Sequence, residues 1–176
     1  MVRRLILIMG HTLDKKEEKM ELLERISNDT LNYLNELEKL LISVDTSIIA
    51  HKRNSQNRTA KQIVGHLVDS ASNNTHRIIH LQYQPLPLIF PDYANFGMND
   101  KWIEMQDYNN YDWDDLVQLM KYTNIHICNV IRNIERSKLQ NKWISATKDQ
   151  YTLEEMIVDY PKHFKLHLDE IKALIK

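Results

Sequence analysis

Long amphipathic stretches, with few residues that would interrupt a helix, constrain the fold of this chain most strongly. The 176 residues include only three glycines and four prolines, and three of the prolines, Pro85, Pro87 and Pro91, fall close together. Along four stretches, apolar residues recur at steps of three and four, as they do on the buried face of a helix. The sequence therefore predicts four long helices and one irregular excursion.

Capping residues indicate where these helices begin. Thr59 with Gln62, and Thr152 with Glu155, each have the spacing of a capping box, in which a hydroxyl and a carboxyl or amide side chain satisfy the first free N–H groups. An acidic run that opens at Asp112 suits the positive N-terminal end of a third helix. The predicted helices begin at about Asp14, Thr59, Asp112 and Thr152, and the first ends near Val44.

Four helices of this length predict an all-α four-helix bundle. The link from Pro85 to Tyr111 is much longer than a turn requires, and it can run back along the bundle between helices two and three. A polar loop is expected at residues 45–58. The segments 143–145 and 150–152 flank a polar turn and predict a small hairpin before the last helix.

Composition excludes several partners. The formal net charge is −1 with no basic block, which argues against nucleic acid as a partner, and no stretch is long and apolar enough to predict a membrane span. The single cysteine, Cys128, rules out an intramolecular disulfide and fits a reducing cytoplasm, where we expect the protein to act. We divide the chain into a short N-terminal leader, residues 1–12, and one bundle domain, residues 13–176.

Three histidines are the candidate metal ligands. His163 and His167 lie four residues apart, so they project from one helix face, beside the apolar stripe of the fourth helix. His66 follows the core position Ile63 by three residues on the second helix. Neutral imidazole is a common metal ligand, and three of them leave positions open for water or substrate. The alternative, which stays open at this point, is that these histidines are ordinary core residues with hydrogen-bond partners.

A polar line continues from His66 along the second helix through Asp69, Asn73 and Arg77. Burying such side chains without partners is costly, so the line is expected either to border a wet cavity or to pair within itself. Other catalytic patterns are absent from the sequence: Phe164 replaces the glutamate of a zincin, and there is no P-loop, dinucleotide fingerprint or nucleophile elbow.

Taken with their order and spacing, four motifs resemble the DinB/YfiT-like superfamily of metal-binding four-helix bundles. The matching segments are 62–70 with Asn74 and Arg77, 102–109, 151–153 and 159–168. The resemblance implies an up-down-down-up bundle with a long crossover between helices two and three. It also implies a divalent metal ion, zinc or nickel, held by His66, His163 and His167. Many members carry tryptophan where this chain has Arg58.

The functions of that superfamily suggest three hypotheses for this chain. The first is an enzyme that transfers a low-molecular-weight thiol, such as bacillithiol, mycothiol or glutathione, onto an electrophilic small molecule, with Asn73, Arg77 and Tyr160 binding the substrate. The second is a metal-dependent hydrolase with Asp69 as the candidate base. The third is a stress-related binding or dimerisation module without activity, and a homodimer is left open in every case.

Overall fold

The computed structural model describes residues 2–91 and 93–176, with side chains described except at 2–17, 19, 46 and 50. The α-helices, numbered in chain order, are α1 (Val2–Ile42), α2 (Thr46–His51), α3 (Ala60–Tyr83), α4 (Met98–Met105), α5 (Trp113–Arg132) and α6 (Leu153–Leu174). The strands are β1 (Leu88–Ile89), β2 (Lys142–Ile144) and β3 (Gln150–Thr152). Single 3₁₀ turns lie at Tyr108–Asn110 and Arg136–Lys138.

The four long helices form the predicted up-down-down-up bundle. Helix α1 packs against α5 and α6, and α3 packs against the same two helices, so α1 and α3 lie on one diagonal of the bundle. Apolar side chains from all four helices fill its interior in two clusters. One cluster includes Leu37, Val64 and Phe164, and the other includes Ile78 and Ile127. Their spacing along each helix is the three-and-four periodicity read from the sequence.

The predicted helix starts are confirmed for three of the four long helices. Both capping boxes form: Thr59 with Gln62 opens α3, and Thr152 with Glu155 opens α6. The carboxylate of Asp112 accepts a hydrogen bond from a backbone N–H in the first turn of α5. These side chains satisfy N–H groups that no preceding turn of helix can reach, which is why each helix begins where it does.

The first helix and the following loop differ from the prediction. Helix α1 begins at Val2 rather than near Asp14, and the segment 45–58 contains the short helix α2. Asp45 caps α2 by accepting a hydrogen bond of 2.7 Å from the backbone N–H of Ser47, a local signal that is easily taken for a turn. The division into a leader, residues 1–12, and a bundle domain stays a prediction, because the side chains of residues 1–12 lie outside the described residues.

The long crossover carries structure of its own. Strand β1 pairs in parallel with β2, and β2 pairs with β3 as the predicted hairpin, so the crossover and the hairpin share one small sheet. Arg58, buried before α3, donates to the carboxylate of Asp100 on α4 at 2.6 Å. These contacts hold the crossover along the bundle. Among the helices described, none combines the length and apolar character needed to cross a membrane.

A gap at Gly65 lets the crossover approach α3 closely. A Cβ atom at Gly65 would lie 2.1 Å from the ring of Tyr108, far inside van der Waals contact. Tyr108 is 2% exposed, and its hydroxyl donates to Asp69 Oδ1 at 2.7 Å. Packing therefore requires glycine at this position, because its missing side chain leaves room for the ring of Tyr108, which reaches Asp69 on α3.

We expect Gly65→Ala to lower the free energy of unfolding by about 1–3 kcal/mol, because the added methyl overpacks the Tyr108 ring. In an ordinary helix position the same change would stabilise the protein by about 1 kcal/mol. Urea unfolding measures the difference. In a Tyr108→Ala background the change should no longer destabilise, and an equal loss in both backgrounds would contradict the assigned contact.

Candidate metal centre

The three predicted ligands meet between α3 and α6. His66 lies on α3 and is 3% exposed, while His163 and His167 lie one turn apart on α6, with His167 4% exposed. Because α3 packs against α6, the two helix faces bring the three imidazoles together inside the bundle. Among the described residues they form a group whose ligand nitrogens all lie within 4.8 Å of one another.

The Nε2 atoms of the three rings face a common point. Nε2 of His163 lies 3.3 Å from Nε2 of His66 and 3.1 Å from Nε2 of His167. Two nitrogens bound tetrahedrally to one zinc ion at 2.0–2.1 Å are about 3.3 Å apart. The two spacings that involve His163 therefore match those around a single small cation.

Burial keeps these imidazoles in the form that binds metals. Loss of hydration lowers the pKa of His66 to about 2, with smaller contributions from the neighbouring His167 and His163. Burial also lowers the pKa of His163 to about 4, again with His167 adding to the effect. Both rings are therefore neutral at pH 7, with a lone pair available for a metal ion.

The remaining ring nitrogens show how the ligands are oriented. Nδ1 of His167 lies 2.8 Å from Oε2 of Glu170, and in the tautomer whose Nδ1–H donates to this carboxylate, Nε2 keeps its lone pair for a metal ion. Nδ1 of His163 lies 3.4 Å from the hydroxyl of Ser70. Nδ1 of His66 is buried without a hydrogen-bond partner among the described residues. In the tautomers with Nδ1 protonated, each ring offers an Nε2 lone pair beside those of the other two, and this donor set fits a divalent metal ion.

Asp69, the candidate base, points toward the crossover. Its Oδ1 accepts hydrogen bonds from the hydroxyl of Tyr108 at 2.7 Å and from Nε2 of Gln106 at 2.5 Å. Burial raises its pKa, and these two hydrogen bonds only partly oppose that effect. Sequence reasoning assigned neither donor a role, although both lie in the matching segment 102–109 and Gly65 marked a position of close approach on the predicted helix.

A cavity of about 610 Å³ opens beside the histidine group. Its lining includes Ser70, Asn74, Arg77, Trp143, Tyr160 and His163. His163 is the ligand that reaches this space. A small molecule in the cavity would therefore lie next to the ligand cluster, and the lining does not include Asp69 or its partners Tyr108 and Gln106.

Arg77 lies in the wall of this cavity. Its guanidinium carbon is 4.0 Å from the centre of the Trp143 ring and 5.3 Å from that of Phe90. Its Nη1 donates to Oδ1 of Asn74 at 3.2 Å. Stacking between two aromatic rings fixes the plane of a cation in a largely apolar wall.

The polar groups of two predicted substrate-binding residues, Asn73 and Tyr160, form hydrogen bonds within the protein. The amide of Asn73 donates to the backbone carbonyl of Asp69 at 3.0 Å, and the cavity lining contains its neighbour Asn74 instead. Adjacent helical residues point about 100° apart, so an error of one position changes the face. The ring of Tyr160 borders the cavity, but its hydroxyl donates to Oδ1 of Asn124 on α5 at 2.7 Å. Burial holds the pKa of this hydroxyl well above its usual range.

Solved structures with this architecture include YfiT from Bacillus subtilis, described as a probable metal-dependent hydrolase with an unusual four-helix bundle topology. It shares 20% sequence identity with this chain at a TM-score of 0.70, covering 92% of this chain and 86% of YfiT. The mycothiol-dependent maleylpyruvate isomerase is also similar, with a TM-score of 0.69 and 12% identity over 85% of this chain.

The chain has the DinB/YfiT-like four-helix fold. A histidine-to-alanine variant of the same isomerase matches with a TM-score of 0.70 at 11% identity. The chain spans 60% of the isomerase's length. No protein-family model matches the chain, and no curated protein matches its sequence. The likeness at these identities confirms the fold that the sequence motifs implied.

We expect the metal-free protein to lose stability as the pH falls below 6.5. His66 and His163 have pKa values of about 2 and about 4 when folded, against 6.5 when exposed. The unfolded chain therefore binds more protons, and each histidine removes about 2 kcal/mol between pH 6.5 and pH 5. Urea unfolding in the presence of a chelator measures this loss.

The matched variants for this experiment are His66→Gln and His126→Gln. The first removes one of the two buried titrating groups, so its loss between pH 6.5 and 5 should be smaller by about 2 kcal/mol. His126 is exposed on α5, and its replacement should leave the pH dependence unchanged. Parallel curves for wild type and His66→Gln would show that His66 is not held neutral by burial.

Proposed function

We propose that this protein is a metal-dependent enzyme that transfers a low-molecular-weight thiol onto an electrophilic small molecule. The observation that supports it best is the position of the cavity, which opens at His163 beside the three ligand nitrogens. In this proposal His66, His163 and His167 hold a divalent ion, zinc or nickel, and the cavity receives the two reactants.

A divalent ion held by these histidines would lower the pKa of a thiol placed beside it, so that the thiolate predominates at neutral pH. The sulfur then donates an electron pair to the electrophilic carbon and forms a C–S bond. The bond to the leaving group breaks, and its electron pair leaves with that group. The proton of the thiol passes to solvent.

The side chains around the cavity favour a thiol over water as the nucleophile. A metal ion lowers the pKa of bound water as well as that of a thiol, so the choice between them depends on whether a side chain can pass protons to and from a water molecule. Asp69 is turned toward Tyr108 and Gln106, and the hydroxyl of Tyr160 is used by Asn124. Neither of these hydrogen-bonded oxygen atoms, Asp69 Oδ1 or the Tyr160 hydroxyl, is therefore free to take a proton from a nucleophile at the triad.

Arg77 is the residue we assign to substrate binding. A guanidinium held between Trp143 and Phe90 presents a cation of fixed plane to the cavity. Such a group matches the carboxylate that low-molecular-weight thiols derived from amino acids carry. Asn74, which already accepts from Arg77, adds an amide to the same wall. Asn73 has only an indirect role in this proposal, because its side-chain amide donates to the backbone carbonyl of Asp69.

We expect zinc- or nickel-loaded protein to accelerate conjugation of a thiol to a model electrophile such as monochlorobimane. Glutathione, bacillithiol and mycothiol are tested in turn, because the cavity alone does not distinguish their backbones. His163→Ala should reduce the rate at least tenfold, whereas His126→Ala, an exposed histidine on α5, should leave it unchanged. Acceleration that survives both a chelator and His163→Ala would overturn the proposal.

The second candidate is a metal-dependent hydrolase, which the description of YfiT supports. In that case the ion would lower the pKa of a water molecule instead of a thiol. The same protein samples, assayed on activated esters and amides without added thiol, distinguish the two. Turnover that depends on the metal and on His163, but not on any thiol, would replace the transferase proposal with this one.

A further inference from the structure

The three ligand histidines differ in the hydrogen-bond partners of their Nδ1 atoms. Nδ1 of His167 bonds to Glu170 at 2.8 Å, and Nδ1 of His163 lies 3.4 Å from Ser70. Nδ1 of His66 has no partner among the described residues, although the ring is 3% exposed. For Nε2 of His66 to serve as a ligand, Nδ1 must carry the proton, and a buried N–H without an acceptor is unfavourable.

An acceptor without a donor lies on the same helix, three residues further along. Asp69 is 2% exposed, and its Oδ2 is buried without a hydrogen-bond partner among the described residues, while Oδ1 accepts from Tyr108 and Gln106. On a helix, residues three apart are neighbours on one face. The unsatisfied donor and the unsatisfied acceptor are therefore on adjacent turns of α3.

On α6, a histidine and a carboxylate with the same spacing do form a hydrogen bond. His167 and Glu170 are also three residues apart, and their side chains bond at 2.8 Å. Both helices thus carry a histidine followed by a carboxylate at the third position. Three neutral imidazoles bring no charge to a divalent ion, so two nearby carboxylates would offset its buried charge.

We propose that Asp69 is a positioning residue for the metal centre, whose Oδ2 accepts the Nδ1–H of His66 when the ion is bound. Oδ1 stays with Tyr108 and Gln106, so one carboxylate joins the crossover to the ligand. Asp69 then fixes the tautomer and ring orientation of His66 as Glu170 does for His167. This inference rests on the metal site of the proposed function and assigns Asp69 a role other than that of a base.

Zinc affinity, measured by competition with a chromophoric chelator, tests the assignment in four proteins: wild type, Asp69→Asn, Glu170→Gln and Tyr108→Phe. In Asp69→Asn the side-chain oxygen can still accept from Tyr108, and the new amide NH₂ would then face the N–H of His66, donor against donor. We expect Asp69→Asn and Glu170→Gln each to weaken zinc binding about 10–100-fold. Tyr108→Phe removes a bond to Oδ1 alone and should change the affinity less than about threefold.

The outcomes separate this inference from the proposed function. If wild type binds zinc and Asp69→Asn matches wild type or falls only as far as Tyr108→Phe, Asp69 merely anchors the crossover and the inference is overturned. If wild type binds no zinc, the metal site itself fails, and the inference with it. Both outcomes are decided by zinc affinity alone, with no measurement of enzyme activity.

A measurement on wild type alone tests the same inference without relying on a variant that could fail to fold. In the Co²⁺-substituted protein, each ligand histidine gives a paramagnetically shifted N–H proton signal, and a bond to a buried carboxylate slows its exchange with water. We expect two slowly exchanging signals, from His66 and His167. A single such signal, assigned to His167, would contradict the role of Asp69.

Discussion

The packing of three histidine rings between α3 and α6 is the constraint on which the rest of this molecule depends. Removing the rings from water lowers the pKa values of His66 and His163 far enough that they stay uncharged at pH 7. Neutral rings can pack in an apolar bundle and can also direct their Nε2 lone pairs at one point. The same desolvation therefore permits the fold and prepares the ligand set.

The crossover connects this centre to the outside of the bundle. Gly65 leaves room for the Tyr108 ring, Tyr108 reaches Asp69, and Asp69 lies one turn from His66. On the other side, the cavity wall with Arg77 borders His163. The ligand cluster thus contacts packed side chains at Asp69 and borders, at His163, a cavity large enough for a small molecule. In the proposed function, this opening is what distinguishes the cluster from a closed structural site.

Much of this could be predicted from sequence because the signals are local. The capping residues Thr59 and Thr152 fix helix starts, and the four-residue step from His163 to His167 fixes a shared face. What the sequence did not specify depended on partners distant in the chain or on a single position. The hydroxyl of Tyr160 is taken by Asn124 and the carboxylate of Asp69 by the crossover, contacts that helix periodicity does not encode. We predicted Asn73 as a substrate-binding residue, whereas its neighbour Asn74 lines the cavity, a difference of one position along α3.

The most direct test of the central claim is the metal content of the protein purified without a histidine tag, for wild type, His163→Ala and the exposed control His126→Ala. We expect close to one divalent ion per chain in wild type and in His126→Ala, and almost none in His163→Ala. Equal trace amounts in all three proteins, with the fold intact by circular dichroism, would show that the three histidines are packed core residues and not a metal centre.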